Sequence, residues 1–428
     1  MAILQVLLYA IVYWVFAPNF RYAIGPDFIS YSAIAEKYAS GDLSGAVNTW
    51  WSPAYSWLLA AGSLFTKDVL LANKMVQFLA GFPALLLLRR IIFLHSPLKK
   101  DWYAEWLLLA FIPALAWWAL TADTPDLWAA VALLWFFGQV LRLTVQFSVK
   151  TAVFAGIAGA VAYWFKSYNF WFVAFFGLAI LVHELFVRRE KRNSIQQWLL
   201  VAIIFLAGAL LWVGAMYSRT QQFTISGIGW HQPCTNEYVL KQKPIAAAAD
   251  CAPLQLAATN RYSNWETPQT YPVMPISAYL REKGMGAVLQ QNINDFFSAF
   301  TSRYQLLVLV LLVVFSWWYW RKWLFYYVAF WGIYCAGYWL FHLEARFFIM
   351  PSVLLMLGIV ISYLRLAETI TGKWLHTAGI LVLMVLFAHS YLFNLWKFDS
   401  HTVPRRVHQF VQQQKVEPNK NIAAAAGL

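Results

Sequence analysis

Residues 198–216 read WLLVAIIFLAGALLWVGAM, a run without a single charged side chain. At about 1.5 Å per residue, a helix of that length covers the roughly 30 Å hydrocarbon core of a bilayer. Ten more apolar stretches, each with at most one charged residue, flank it near 3–17, 69–88, 103–121, 126–141, 151–165, 169–186, 305–320, 323–341, 347–364 and 375–394. The composition agrees with them. Of the 428 residues, 61% are hydrophobic and 12% charged, and mean hydropathy is +0.55. Soluble domains carry about twice that charged fraction. The expected fold class is therefore all-α, a polytopic membrane protein of eleven spans. Disorder, collagen-like repeats and a disulfide-stapled mini-protein are excluded. The first stretch lacks the basic start and small-residue cleavage site of a signal peptide, so it is expected to stay as an anchor.

Sidedness follows from Lys and Arg in the short connections. Alternate loops carry Arg89, Arg90, Lys99 and Lys100, then Arg142 and Lys150, then Arg188, Arg189, Lys191 and Arg192, then Arg321 and Lys322, then Arg365 and Lys373. These fourteen cations accompany only Asp101, Glu105, Glu184, Glu190 and Glu368. That side is expected to be cytoplasmic, with the N-terminus inside and the C-terminus outside. The formal net charge of +13 then divides into +9 inside and +4 outside (18 cations, 14 acids). A nucleic-acid partner is not needed to explain it.

On this reading residues 1–216 form an N-terminal transmembrane module and 217–304 a large extracytoplasmic loop. Residues 305–394 supply the C-terminal spans, and 395–428 an outer tail. The loop holds Cys234 and Cys251, which an oxidising compartment could pair or leave as two thiols. No internal repeat is visible.

The first outer segment, 18–68, is the most informative. After Gly25-Pro26-Asp27, the residues Phe28, Tyr31, Ile34, Ala35 and Tyr38 recur at helical spacing, with Ser30, Glu36 and Lys37 on other faces. That pattern predicts an amphipathic helix lying in the outer interface and ended by Gly41. A second interfacial piece follows at 50–59, whose aromatics Trp50, Trp51, Tyr55 and Trp57 suit the headgroup level. Together, in-plane helices over 27–60 would form a platform. Asp27 reads either as an N-cap or as a functional acid. Asp123 and Asp126, in Thr121-Ala122-Asp123-Thr124-Pro125-Asp126, read either as helix-start chemistry or as a second functional acid cluster. Lys166, at a tight outer turn, is either a snorkelling cation or a ligand for an anion. Glu344 and Arg346 are either a surface ion pair or a further part of the same site.

Outer acids and outer cations around such a platform fit transfer from a lipid-linked phosphate donor. A cation there stabilises charge on the departing phosphate. A carboxylate accepts the proton of an incoming hydroxyl, or helps hold a divalent cation such as Mg or Mn, with Asp27 and Asp126 as its candidate ligands. No nucleotide loop, dinucleotide fingerprint or zinc motif is present on the cytoplasmic side.

In order along the chain, five sets of residues resemble motifs of the GT-C superfamily of polyprenyl-phosphate-dependent glycosyltransferases. The nearest likeness is to its protein O-mannosyltransferase and aminoarabinose-transferase branch. Pro26-Asp27-Phe28 with Tyr31, Ala35 and Gly41 is similar to the family's first-loop acid and helix, and Ser52-Pro53-Ala54-Tyr55 to the stretch that comes next. Asp123-Thr124-Pro125-Asp126 resembles its second acidic site, and Tyr163 through Tyr168 its lysine-bearing turn. Glu344-Ala345-Arg346-Phe347 with Pro351 resembles the motif after a late span. The chain has Phe28 where a second acid usually follows, and Ser52 in place of a His. The resemblance implies a GT-C helical bundle and inverting sugar transfer. It implies Asp27 as catalytic base assisted by Asp126 or Asp123, and Lys166 and Arg346 on the lipid phosphate. Tyr55, Tyr168, Glu344 and His342 fall within or beside the same motifs and are candidates for substrate contact. The implied partners are a polyprenyl-phosphate-linked sugar, an unnamed acceptor on glycan, lipid or protein, and membrane lipids.

The competing class is a transporter or flippase of lipid-linked sugars. It should place polar sites near the bilayer midplane and often shows repeated halves. Within the spans the main polar residues are Lys74, Gln77, Gln139, His183 and Glu184. The charged groups gather at one face instead, which favours the enzyme. A non-catalytic scaffold that binds a partner through loop 217–304 is the third reading.

Overall fold

The structure is a computed structural model and describes residues 1–21, 23, 25–95, 102–146, 148–187, 191–227, 281, 284–301, 321–339, 345–367 and 373–397. Helices dominate, and no strand occurs among the described residues. In chain order they are α1 (Ala2–Phe16), α2 (Pro26–Ala39), α3 (Leu43–Ala46), α4 (Pro53–Gly62), α5 (Val69–His95), α6 (Trp102–Leu109), α7 (Phe111–Thr121) and α8 (Asp126–Val145). There follow α9 (Val149–Phe165), α10 (Tyr168–Val187), α11 (Lys191–Thr220), α12 (Met285–Thr301), α13 (Arg321–Trp339), α14 (Ile349–Ala367) and α15 (Lys373–Lys397). Short 3-10 turns occupy Ala17–Phe20 and Ala345–Phe348.

Seven stretches among the described residues are long and apolar enough to cross a membrane: Ala2–Phe20, Val69–His95, Trp102–Thr121, Asp126–Val145, Tyr168–Val187, Asn193–Thr220 and Arg346–Arg365. Helix α9 is equally apolar in character but shorter. The stretches expected near 323–341 and 375–394 are helical as α13 and α15. The one expected at 305–320 lies outside the described residues, as do Cys234, Cys251, His342, Glu344, most of loop 217–304 and the tail beyond Lys397. The third expected span is two helices, α6 and α7, which meet at Ala110.

Local chemistry explains where these elements begin and stop. Both α2 and α4 open on proline, whose missing N–H is not needed in a first turn. Gly41, at φ 84°, follows the end of α2 in the left-handed conformation that favours glycine. Ser148 caps α9 by accepting the Thr151 N–H at 3.3 Å. Helix α9 then packs between α8 and α11. Gly156 permits a close approach to α11: a Cβ there would stand 2.6 Å from Ile204 Cβ and 2.8 Å from Val201 O. Helix α1 is pinned to α5 by Tyr9 Oη donating to Phe78 O at 3.0 Å and Tyr13 Oη to Lys74 O at 2.7 Å.

The first loop is packed more deeply than an amphipathic pattern predicts. Residues Phe28 to Ala35 are buried on every side of α2, including Ser30 and Ser32. Helix α2 lies against α4, with Ser56 Oγ donating to Tyr31 O at 3.1 Å and the Tyr31 and Tyr55 rings edge to face. Of the four aromatics expected at headgroup level, Trp50 and Tyr55 are buried, Trp51 is half-buried and Trp57 is exposed. Small hydroxyls misled the periodicity here, because they can satisfy themselves within a helix. Ser32 Oγ donates to Ile29 O at 2.9 Å, so it needs no water.

Candidate functional site

Burying α2 carries Asp27 inward with it. Gly25 is the N-cap, so Asp27 is an acid of the first turn and not the cap itself. Its Oδ2 accepts from Arg346 Nη2 at 2.5 Å, across 319 residues of sequence. Arg346 stands in the 3-10 turn that precedes α14. Its Nε also lies 3.8 Å from Asp126 Oδ2. Asp126 opens α8, with Pro125 as the capping residue, and Thr124 Oγ1 donates to its Oδ2 at 2.5 Å. The other oxygen, Oδ1, accepts from Lys166 Nζ. Lys166 is the residue that ends α9, in extended backbone conformation. Its ammonium sits 3.7 Å above the Phe347 ring, a cation–π contact that holds it without neutralising it.

Asp123 completes the acids from below. Its Oδ2 accepts the Gly25 N–H, so it fixes the start of the helix that carries Asp27. Burial pushes the Asp123 carboxyl up to about 6, against the opposing pull of Arg346 and the Gly25 N–H. Lys74 also acts on it electrostatically. The Lys74 ammonium donates to Leu120 O at 2.7 Å and to Ala23 O at 3.4 Å. Three acids and three cations thus share one end of the bundle. Accessibility is graded: the side chains of Asp27 and Arg346 are each 29% exposed, Lys166 17% and Asp126 5%. Asp27 and Arg346 are the most accessible of these four side chains.

The sequence-derived residues Asp27, Asp123, Asp126, Lys166 and Arg346 are therefore brought together. Arg346, read either as a surface partner of Glu344 or as part of the site, is bonded to Asp27. Lys166, read either as a snorkelling cation or as a ligand for an anion, is bonded to Asp126. Tyr55 lies beneath the cluster, fully buried; it donates to Asn73 Oδ1 and accepts from Gln77 Nε2 at 2.8 Å. Gln77 Nε2 also reaches Thr124 O at 2.9 Å, which ties α4, α5 and the turn before α8 into one support. Burial raises the Tyr31 and Tyr55 phenols well above their ordinary range, so both serve as neutral hydrogen-bonding groups. Tyr168 is turned toward α13: it donates to Tyr334 O at 2.6 Å and stacks on Tyr338 at 4.0 Å. A divalent cation fits poorly between Asp27 and Asp126, because the Arg346 guanidinium already joins them. Among the described residues no group of three His, Cys, Asp or Glu side chains is arranged to hold a metal ion.

Sequence reasoning names Gly25 and Phe347 within its motifs but not their contacts with Asp123 and Lys166, nor the part played by Lys74. Lys74 was visible as a lone cation in an apolar helix, the one available signal. Nothing in the sequence distinguishes Gly25 from a turn glycine. No protein-family model, no curated protein and no solved structure matches this chain.

Proposed function

We propose that the chain is a GT-C-type membrane glycosyltransferase of eleven spans. It transfers a sugar from a polyprenyl-phosphate-linked donor to an acceptor hydroxyl on the extracytoplasmic face. The observation that supports this most is the convergence of Asp27, Asp126, Lys166 and Arg346 from four distant parts of the chain. In this reading Arg346 and Lys166 bind the donor phosphate, with Phe347 fixing both cations from one side. The acceptor oxygen attacks the anomeric carbon and the carbon–oxygen bond to phosphate breaks. The electron pair leaves on the polyprenyl phosphate, and the acceptor proton passes to the Asp27 carboxylate. The two cations stabilise charge that grows on the departing phosphate. Asp126 orients Lys166, and Asp123 holds the start of α2. No step needs a metal.

The transporter reading draws less support. Lys74, the buried cation of a candidate span, lies in the second turn of α5 and bonds to Leu120 O at the site end, not midway along the helix. The test is incubation of the purified protein with a panel of radiolabelled polyprenyl-phospho-sugars and a hydroxyl acceptor mixture. Sugar transfer with release of polyprenyl phosphate is expected for one donor. Translocation of a labelled donor across proteoliposomes with no transfer would favour the transporter.

A further inference from the structure

The site's outermost cation does not stand ready for a phosphate. Arg346 Nη2 is bonded to Asp27 at 2.5 Å, and its Nε faces Asp126 at 3.8 Å. Lys166 Nζ is bonded to Asp126 in turn. A phosphate that takes either cation must loosen one of these pairs. The Asp27 carboxylate, for its part, is occupied by the guanidinium through its Oδ2. The two facts are one constraint: the group that would receive the proton and the group that would receive the phosphate occupy each other.

Accessibility decides which pair yields. Asp27 and Arg346 are each 29% exposed, whereas Asp126 is 5% exposed. Half-exposed ion pairs are cheap to open, because water solvates the separated charges. The Lys166–Asp126 pair is deeper, and Thr124 braces its carboxylate. An arriving anion therefore competes first with Asp27 for Arg346.

We propose that the Arg346–Asp27 ion pair is a self-blocking contact, opened by the phosphate of the donor, so that Asp27 becomes free to act as base only after the donor is bound. The inference rests on the glycosyltransferase reading and adds an order to it, donor before acceptor. It also explains how an accessible carboxylate near a reactive sugar phosphate avoids acting on water. Until an anion arrives, Asp27 is engaged.

The test uses the full chain in detergent and a short-chain isoprenyl monophosphate that carries no sugar, titrated calorimetrically. In wild type the phosphate must displace Asp27. In Asp27→Asn that competitor is gone, so the variant should bind the isoprenyl phosphate about fivefold tighter although it transfers no sugar. Asp27→Ser should behave in the same way. The isoprenyl alcohol of equal length should bind wild type and Asp27→Asn alike, and inorganic phosphate should show the same preference for Asp27→Asn. Equal or weaker isoprenyl phosphate binding by both Asp27 variants, with wild-type binding intact and melting unchanged, overturns the self-blocking contact but not the transferase reading. No binding of isoprenyl phosphate by wild type or by either Asp27 variant overturns both.

Discussion

Buried carboxylates occur at both ends of this helical bundle, and the chain handles them differently. Along α5, Lys74 and Arg89 are 15 residues apart, which places the two ends about 22 Å from each other. At the far end Glu105 accepts from Arg89 Nε at 3.0 Å and Nη2 at 2.6 Å. Its other oxygen accepts from Gln5 Nε2 at 2.9 Å. Glu184, also buried, accepts from Trp198 Nε1 at 3.2 Å and Gln197 Nε2 at 3.4 Å. Each of these acids is served by donors on neighbouring helices, in a fixed arrangement that locks α1, α5 and α6, or α10 and α11. At the site end no such exclusive pairing exists. Arg346 divides itself between Asp27 and Asp126, and Asp126 between Arg346 and Lys166. Charges that are shared can be redistributed by a ligand, whereas a carboxylate bonded through both oxygens, as Glu105 is, holds the fold.

That contrast can be broken by mutating each end and reading activity against stability. The largest expected effect is at Asp27. Asp27→Asn should lower kcat by about 10²- to 10⁴-fold, the contribution of a positioned general base, with thermal melting near wild type. Undiminished transfer by that variant sinks the catalytic assignment. Next comes the far end: Arg89→Ala leaves the buried Glu105 carboxylate without its cation and should cost about 2 kcal/mol of stability, discounted for the exposed side of the arginine. Its surviving folded fraction should transfer sugar at the wild-type rate. A matching fall in kcat would erase the distinction between the two ends. Lys166→Ala is expected to come third, raising donor KM about tenfold with a smaller effect on acceptor KM, as loss of one charge-assisted contact to phosphate would. If acceptor KM moves more, the phosphate role belongs elsewhere.

Much of this was legible in the chain, for a physical reason. Hydrocarbon excludes charge, so apolar runs such as 198–216 declare themselves, and α11 covers that run. The same exclusion makes a scarce charge at a helix end conspicuous, which is how Asp27, Asp123, Asp126, Lys166 and Arg346 came to notice. Their pairing was not legible. Local spacing points from Arg346 only to near neighbours such as Glu344, and gives no sign that the 3-10 turn brings the guanidinium to Asp27, 319 positions away. The burial of α2 was hidden for a similar reason. Periodicity reports which face is apolar, and it is silent on whether a second layer covers the other face. Ser30 reads as lying off the apolar face, yet it is buried.

The smallest expected effect sharpens the comparison most finely, because it concerns an acid of the site end that is as buried as those at the far end. Burial raises the Asp123 carboxyl from 3.8 to about 6, and the Arg346, Gly25 and Lys74 groups facing it reduce that rise without cancelling it, while Asp27 adds to it. A carboxyl raised in the folded state keeps a proton that the unfolded chain has already lost. Its contribution to stability is therefore fully present below about pH 4 and is lost as pH climbs through about 6. Wild type should accordingly melt at a lower temperature at pH 7 than at pH 5, by an amount on the order of 1 kcal/mol. Asp123→Asn keeps an oxygen to accept the Gly25 N–H but has no proton to lose, so it should flatten that slope. A slope that survives in Asp123→Asn would place the titration elsewhere. Asp123 would then count with Glu105 as an acid whose partners saturate it, and the shared charges of the site would reduce to Asp27, Asp126, Lys166 and Arg346.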